Sequence, residues 1–188
     1  MAKGAKITIA GEGGQGVQSV ANILSEAAYE EGFESLYIPN FGPEQRGGVS
    51  VAYVQIAEDS IGSPKFKTAD IVIALSDRAV YRTRKYVGPQ TVFVYDANIK
   101  GVEDALPRNA GKVLAIPAIK VAKEELHPRV FNVVIMGAVI GATQVVSLEK
   151  AKAALEAKLG YKFEQDPSLR ELNYKALERG AELVQGLI

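Results

Sequence analysis

Cysteine is absent from the 188 residues of the chain, and histidine occurs once. Without a thiol there can be no disulfide, thiolate nucleophile, thiolate zinc site or cysteine-ligated iron–sulfur cluster. The lone His127 leaves no His-rich metal site and weakens any Ser-His-Asp scheme. It stands in Leu126-His127-Pro128-Arg129, where a solvated loop imidazole is the expectation. An excess of one charge is also missing, because Lys+Arg and Asp+Glu both number 22. A protein that grips nucleic acid through phosphates carries a basic excess or stripe, so no nucleic-acid partner is expected. The longest apolar stretch, Phe131 to Val146, contains Asn132 and Gln144 and falls short of the roughly 18–20 residues a membrane span needs. The apolar run within Met1 to Ala10 is too short for a signal-peptide core. A cytoplasmic protein with no membrane contact is the reading, and the lack of cysteine fits it.

What is present describes a globular chain, 47% hydrophobic and 23% charged, of a length suited to one domain spanning 1–188. Lys6 to Ala10 is short, apolar and β-branched, as a buried strand should be. Gly11-Glu12-Gly13-Gly14-Gln15-Gly16 follows, and Val17 to Glu31 then takes helical spacing before Gly32. Phe33 to Ile38 reads as a second strand ended by Pro39, and residues 40–48 as a loop. Val49 to Ile56 reads as a strand, with Ile61-Gly62-Ser63-Pro64 as a hairpin return. Ile71 to Leu75 has the continuous apolar character of a central parallel strand, and Ser76 is placed to cap a helix over Asp77 to Lys85. Further strands are expected at Thr91 to Tyr95 and Lys112 to Ile116. Phe131 to Val145 is apolar all round and hence a buried helix, with Gly137 and Gly141 four apart to admit a close neighbour. Ser147 caps Leu148 to Leu159, which Gly160 closes, and Asp166-Pro167 opens a last helix. The fold class is α/β: one domain, a mostly parallel sheet flanked by helices, with a Gly-rich strand-to-helix turn at the N-terminus.

Gly11, Gly13 and Gly16 satisfy G-x-G-x-x-G after a strand and before a helix. Such a turn converges backbone N–H groups and a helix dipole on one point, which suits a phosphate or another anion. A dinucleotide site also wants an acid near the end of the second strand. Here that strand ends Tyr37-Ile38-Pro39-Asn40, with Glu34 at its beginning. A free-standing NAD(P) enzyme, a small-molecule binding module and a purely conformational glycine turn all stay open on these residues. A second loop, Gly42-Pro43-Glu44-Gln45-Arg46-Gly47-Gly48, sets an arginine beside glycines that admit close backbone approach. Both segments are expected to leave the carboxyl ends of adjacent strands, the usual ligand edge of an α/β sheet. No residue cluster amounts to a catalytic centre.

Taken together, the G-x-G-G-Q-G turn and the Gly42 to Gly48 loop closely resemble the gamma subunit of 2-oxoacid:ferredoxin oxidoreductases. The likeness continues through Ile61 to Pro64, Ala69 to Leu75, Asn132 through Met136-Gly137-Ala138, and Asn173 to Gly180. It covers essentially the whole chain. The resemblance implies a non-catalytic subunit of a complex that converts a 2-oxoacid and CoA to acyl-CoA, CO2 and reduced ferredoxin. Thiamine diphosphate, Mg2+ and the iron–sulfur clusters would sit on partner alpha and beta subunits and a ferredoxin-like delta subunit. Phe41 to Gly48 looks more like the 2-oxoglutarate and pyruvate branches than the indolepyruvate branch, with 2-oxoglutarate favoured. It further implies that Gly11, Gly13, Gly14, Gln15, Gly16, Glu44, Arg46, Gly47 and Gly48 form either the coenzyme A side or a subunit interface.

Overall fold

The computed structural model describes residues 4–40 and 48–187. Its centre is a six-stranded sheet of β1 (Gly4–Glu12), β2 (Glu34–Asn40), β3 (Val49–Ala57), β4 (Ile71–Ala74), β5 (Val92–Asp96) and β6 (Lys112–Ile116), in the order β2-β3-β1-β4-β5-β6. β1, β4, β5 and β6 run parallel, while β3 lies antiparallel between β1 and β2. The short connection after β2 explains that one reversal, because a parallel return needs a crossover of a dozen or more residues.

The helices are α1 (Val17–Glu30), α2 (Asp77–Thr83), α3 (Ala118–Glu125), α4 (Phe131–Thr143), α5 (Leu148–Gln165) and α6 (Pro167–Leu183). One sheet face, with Ile7, Ile9, Val54, Ile73 and Val94, packs on α1 and α4 in the larger core. The other face, with Ala10, Val51, Val72, Ala74 and Phe93, packs on α2 in a smaller one. As its composition requires, α4 is buried from Val133 to Ile140. It crosses α6 at small residues: a side-chain carbon on Gly137 would collide with the Leu177 carbonyl, and one on Gly180 with the Val134 carbonyl.

Four expectations are corrected. β2 continues through Pro39, because an outer strand has a side where a missing N–H costs no ladder bond. No strand forms at Ile61 to Pro64; β3 already has a partner on each side, so no edge is left for a hairpin return. Gly160 does not close α5, which runs on to Gln165. A short helix over Ala118–Glu125 appears where none was expected. The Asp166 cap is as expected, its carboxylate accepting the Ser168 N–H at 3.1 Å.

Candidate functional site

The glycine-rich turn sits at the carboxyl end of β1. The Gln15 N–H donates to the Glu12 carbonyl at 3.1 Å, closing a turn whose third residue, Gly14, has φ of 88°. That left-handed backbone favours glycine. The Gln15 side chain folds back under the turn: its Oε1 accepts the Glu12 N–H at 2.7 Å, and its Nε2 donates to the Leu75 carbonyl at 3.0 Å. Gly11 makes this possible, since a side-chain carbon there would stand 2.8 Å from Gln15 Oε1. Gln15 thus ties the turn to the end of β4. Gly16 begins α1 at φ 79°, with no side chain capping the helix. Asn132 of α4 lies against it, where any side chain at Gly16 would collide with the Asn132 amide nitrogen.

Gly13 and Gly14 are exposed, and among the described residues nothing stands within 4 Å of a side-chain carbon placed on either. The first-turn N–H groups of a helix have no partner within it, and they carry its positive dipole end. At this turn no described side chain caps α1.

Register brings Gly48, the described end of the second loop, to the same rim, by a route other than the expected one. β1 and β2 are not neighbours, because β3 separates them. Glu12 pairs with Val49, so half-buried Gly48 lies beside the glycine turn. The other members of that loop, including Glu44, Arg46 and Gly47, lie outside the described residues.

A hydrogen-bond hub that the sequence reading missed holds this rim together. Tyr37 OH donates to Gln18 Oε1 at 2.7 Å, while Gln18 Nε2 reaches Ser50 Oγ at 2.8 Å and the Val51 carbonyl at 3.1 Å. First-turn residue Gln18 thereby joins α1 to both strands that flank the second loop. Its signal was a polar residue on the sheet-facing side of an amphipathic helix. Burial pushes the Tyr37 hydroxyl above its ordinary pKa, which keeps it a proton donor. Farther along the rim, buried Asp96 at the end of β5 accepts the N–H groups of Asn98 and Ile119, both at 2.8 Å. Burial raises its pKa against the pull of those bonds, and the carboxylate anchors the start of α3.

The dinucleotide reading fails on geometry. The carboxyl end of β2 carries Pro39 and Asn40, Glu34 lies at the opposite end, and β3 fills the place beside β1. Among the described residues, no three His, Cys, Asp or Glu side chains gather to hold a metal ion. His127 is exposed, its Nδ1 accepting the Arg129 N–H at 3.2 Å. No helix among the described residues is long and apolar enough to cross a membrane.

The fold defines a class: a single-domain α/β module with a mostly parallel six-stranded sheet flanked by helices. The pattern of the pyruvate ferredoxin/flavodoxin oxidoreductase family matches residues 6–183, and the chain belongs to that family. It is 30% identical over 177 residues to ketoisovalerate oxidoreductase subunit VorA of Methanothermobacter thermautotrophicus, covering 94% of this chain and 36% of VorA. The chain thus spans about a third of the length of that relative. Against 2-oxoglutarate synthase subunit KorC of Methanothermobacter marburgensis the identity is 32%, over 95% of this chain and 96% of KorC. Its fold superposes at TM-score 0.79 and 29% identity on a keto/oxoacid ferredoxin oxidoreductase gamma subunit from Geobacter sulfurreducens, covering 96% and 98% of the two chains. At TM-score 0.88 and 27% identity it matches 32% of a 2-oxoglutarate:ferredoxin oxidoreductase chain from Magnetococcus marinus, solved with 2-oxoglutarate, coenzyme A and succinyl-CoA, and here all of this chain is covered.

Proposed function

We propose that this chain is the gamma subunit of a cytoplasmic 2-oxoacid:ferredoxin oxidoreductase, with 2-oxoglutarate the favoured substrate and pyruvate next. The observation that carries the reading is the match, over nearly the whole of both chains, to separate subunits of such enzymes. Thiamine diphosphate and iron–sulfur clusters supply the chemistry of such a complex. This chain has no cysteine that could ligate a cluster. Alpha and beta subunits, with a ferredoxin-like delta subunit, would hold them.

The chain's own contribution is the rim. Gly11, Gly13, Gly14, Gln15 and Gly16 offer backbone donors, and Glu44, Arg46, Gly47 and Gly48 supply the second loop, on the coenzyme A side or at a subunit interface. Anion binding by helix N-termini, and by arginine beside glycine, supports the first of these.

The test is kinetic. The isolated chain, supplied with thiamine diphosphate, Mg2+, 2-oxoglutarate and coenzyme A, is expected to release no CO2; release would overturn the subunit reading. In the assembled complex, Arg46→Ala is expected to raise KM for coenzyme A about tenfold or to weaken assembly, the effect of losing one charge-assisted contact. Unchanged assembly and KM would remove Arg46 from the rim.

A further inference from the structure

The charge balance of the whole chain hides a local surplus. Residues 77–90 carry Arg78, Arg82, Arg84 and Lys85 against the single acid Asp77. This stretch forms α2 and the helical turn Arg84–Tyr86 that follows it. Because α2 begins at the carboxyl end of β4 and runs back along the sheet, the turn stands at the opposite end from the glycine rim. There the Tyr86 carbonyl accepts the Ala69 N–H at 2.8 Å, just ahead of β4. Ala79, Val80 and Thr83 are buried, which turns Tyr81, Arg82, Arg84 and Lys85 outward.

A groove of about 740 Å3 lies between this turn and the segment leading into β6, with Arg84 and Lys85 on one side and Arg108 on the other. Tyr81 and one acid, Asp104, also line it. Its walls are anchored: Val102 and Ala105 sit in the smaller core, and Asn109 Nδ2 donates to the Val87 carbonyl at 2.9 Å. The ion pairs among the described residues are made by Lys152, Arg170, Lys175 and Arg179, and none of them involves Arg82, Arg84, Lys85 or Arg108. Tyr81 is 56% exposed beside these cations. Tyrosine and arginine together are enriched in protein interfaces, and both are common anchors there. Guanidinium groups without a carboxylate on their own chain complement a partner's carboxylates. The helix and its turn extend for only about 15 Å, short of the basic stripe that tracks a nucleic-acid backbone. A peptide can also set a backbone N–H or a basic side chain against Asp104, whereas every unit of a nucleic-acid backbone is an anion.

We propose that this groove docks an acidic segment of a partner protein: its carboxylates engage Arg84, Lys85 and Arg108, and an apolar or aromatic side chain rests on Tyr81. The surface is separate from the rim, and the proposal does not rest on the oxidoreductase reading.

The test replaces Tyr81 with the photo-crosslinker p-benzoylphenylalanine in the full chain, irradiates the chain's own cells before lysis, and maps the adduct by mass spectrometry. One dominant protein adduct is expected, on a segment with about three or more Asp and Glu in ten residues. Arg84→Glu combined with Arg108→Glu is expected to cut its yield about tenfold, and replacing the partner segment's acids with lysine to restore it. Both arginines are exposed, so the double variant keeps the fold, which circular dichroism checks. Absence of an adduct overturns the proposal, as does an adduct on a neutral or basic segment, on a second copy of this chain or on nucleic acid. An acidic adduct that the charge reversal leaves unchanged overturns it as well. Whether the captured protein co-purifies with iron and thiamine diphosphate decides the subunit reading separately.

Discussion

Gln15 and Thr8 are polar residues of one strand–turn unit with opposite fates. Gln15 spends both ends of its amide on the backbone, and it was singled out in the sequence only as part of a motif. The fold gives it a specific task, binding the glycine turn to Leu75, which no spacing rule reveals because residues 15 and 75 meet only once β1 and β4 pair. Thr8 is fully buried in mid-strand, and among the described residues its Oγ1 is the buried side-chain polar atom without a hydrogen-bond partner. An unmade buried bond costs about 1–3 kcal/mol, and valine has nearly the same shape. Thr8→Val is therefore expected to stabilise the chain by about 1 kcal/mol, raising Tm by about 2–4 °C. Thermal unfolding followed by circular dichroism reads it; a lower Tm would show that the hydroxyl is satisfied.

At the scale of elements, glycines separate what could be read from what could not. Gly137 was legible as a point of close helix approach because it lies in a run too apolar to have a wet side. Gly160 resembled a stop signal, since in a list of residues a glycine at a helix end and one inside a helix look alike. The collision at Gly180 and the open surroundings of Gly160 predict opposite effects of one methyl group. Gly180→Ala is expected to destabilise by about 3 kcal/mol through overpacking against Val134. By contrast, Gly160→Ala is expected to stabilise by about 0.5–1 kcal/mol through a stiffer unfolded chain. Urea unfolding of the two variants checks the pair, and equal signs would contradict this packing of α4 on α6. Strand identity was largely legible from apolar runs, but strand order was not: that β3 sits between β1 and β2 follows from a connection length and from pairing partners far along the chain.

Across the whole molecule, the described ion pairs concentrate in the helical layer. Arg170 holds the Glu156 carboxyl below its ordinary value near 4.5 by direct hydrogen bonds, and Arg179 does the same for Glu125. A carboxylate with a lowered folded pKa contributes stability above its ordinary pKa and loses it as pH falls through the lowered value. Asp96 has the opposite sign: its raised pKa contributes at low pH, and that contribution fades as pH rises through the raised value. Thermal stability is therefore expected to fall below about pH 4.5. Arg170→Met should flatten part of that fall, and an unchanged acid profile in the variant would show that the Glu156 pair does not contribute.

Of the candidate site, the glycine turn after β1 was legible in the sequence, while all of the second loop but Gly48 lies outside the described residues. What the residues could not show was the hub of Gln18, Tyr37 and Ser50, since its three members stand on three different elements. The whole molecule also bears the central claim, because the chain matches separate subunits of such enzymes over nearly its whole length. The most direct measurement is purification of the chain, tagged at its natural locus, followed by mass spectrometry and by iron and thiamine assays. Stoichiometric partner chains carrying iron and thiamine diphosphate, with 2-oxoacid-dependent reduction of ferredoxin, are expected. A lone chain without iron or thiamine would contradict the account.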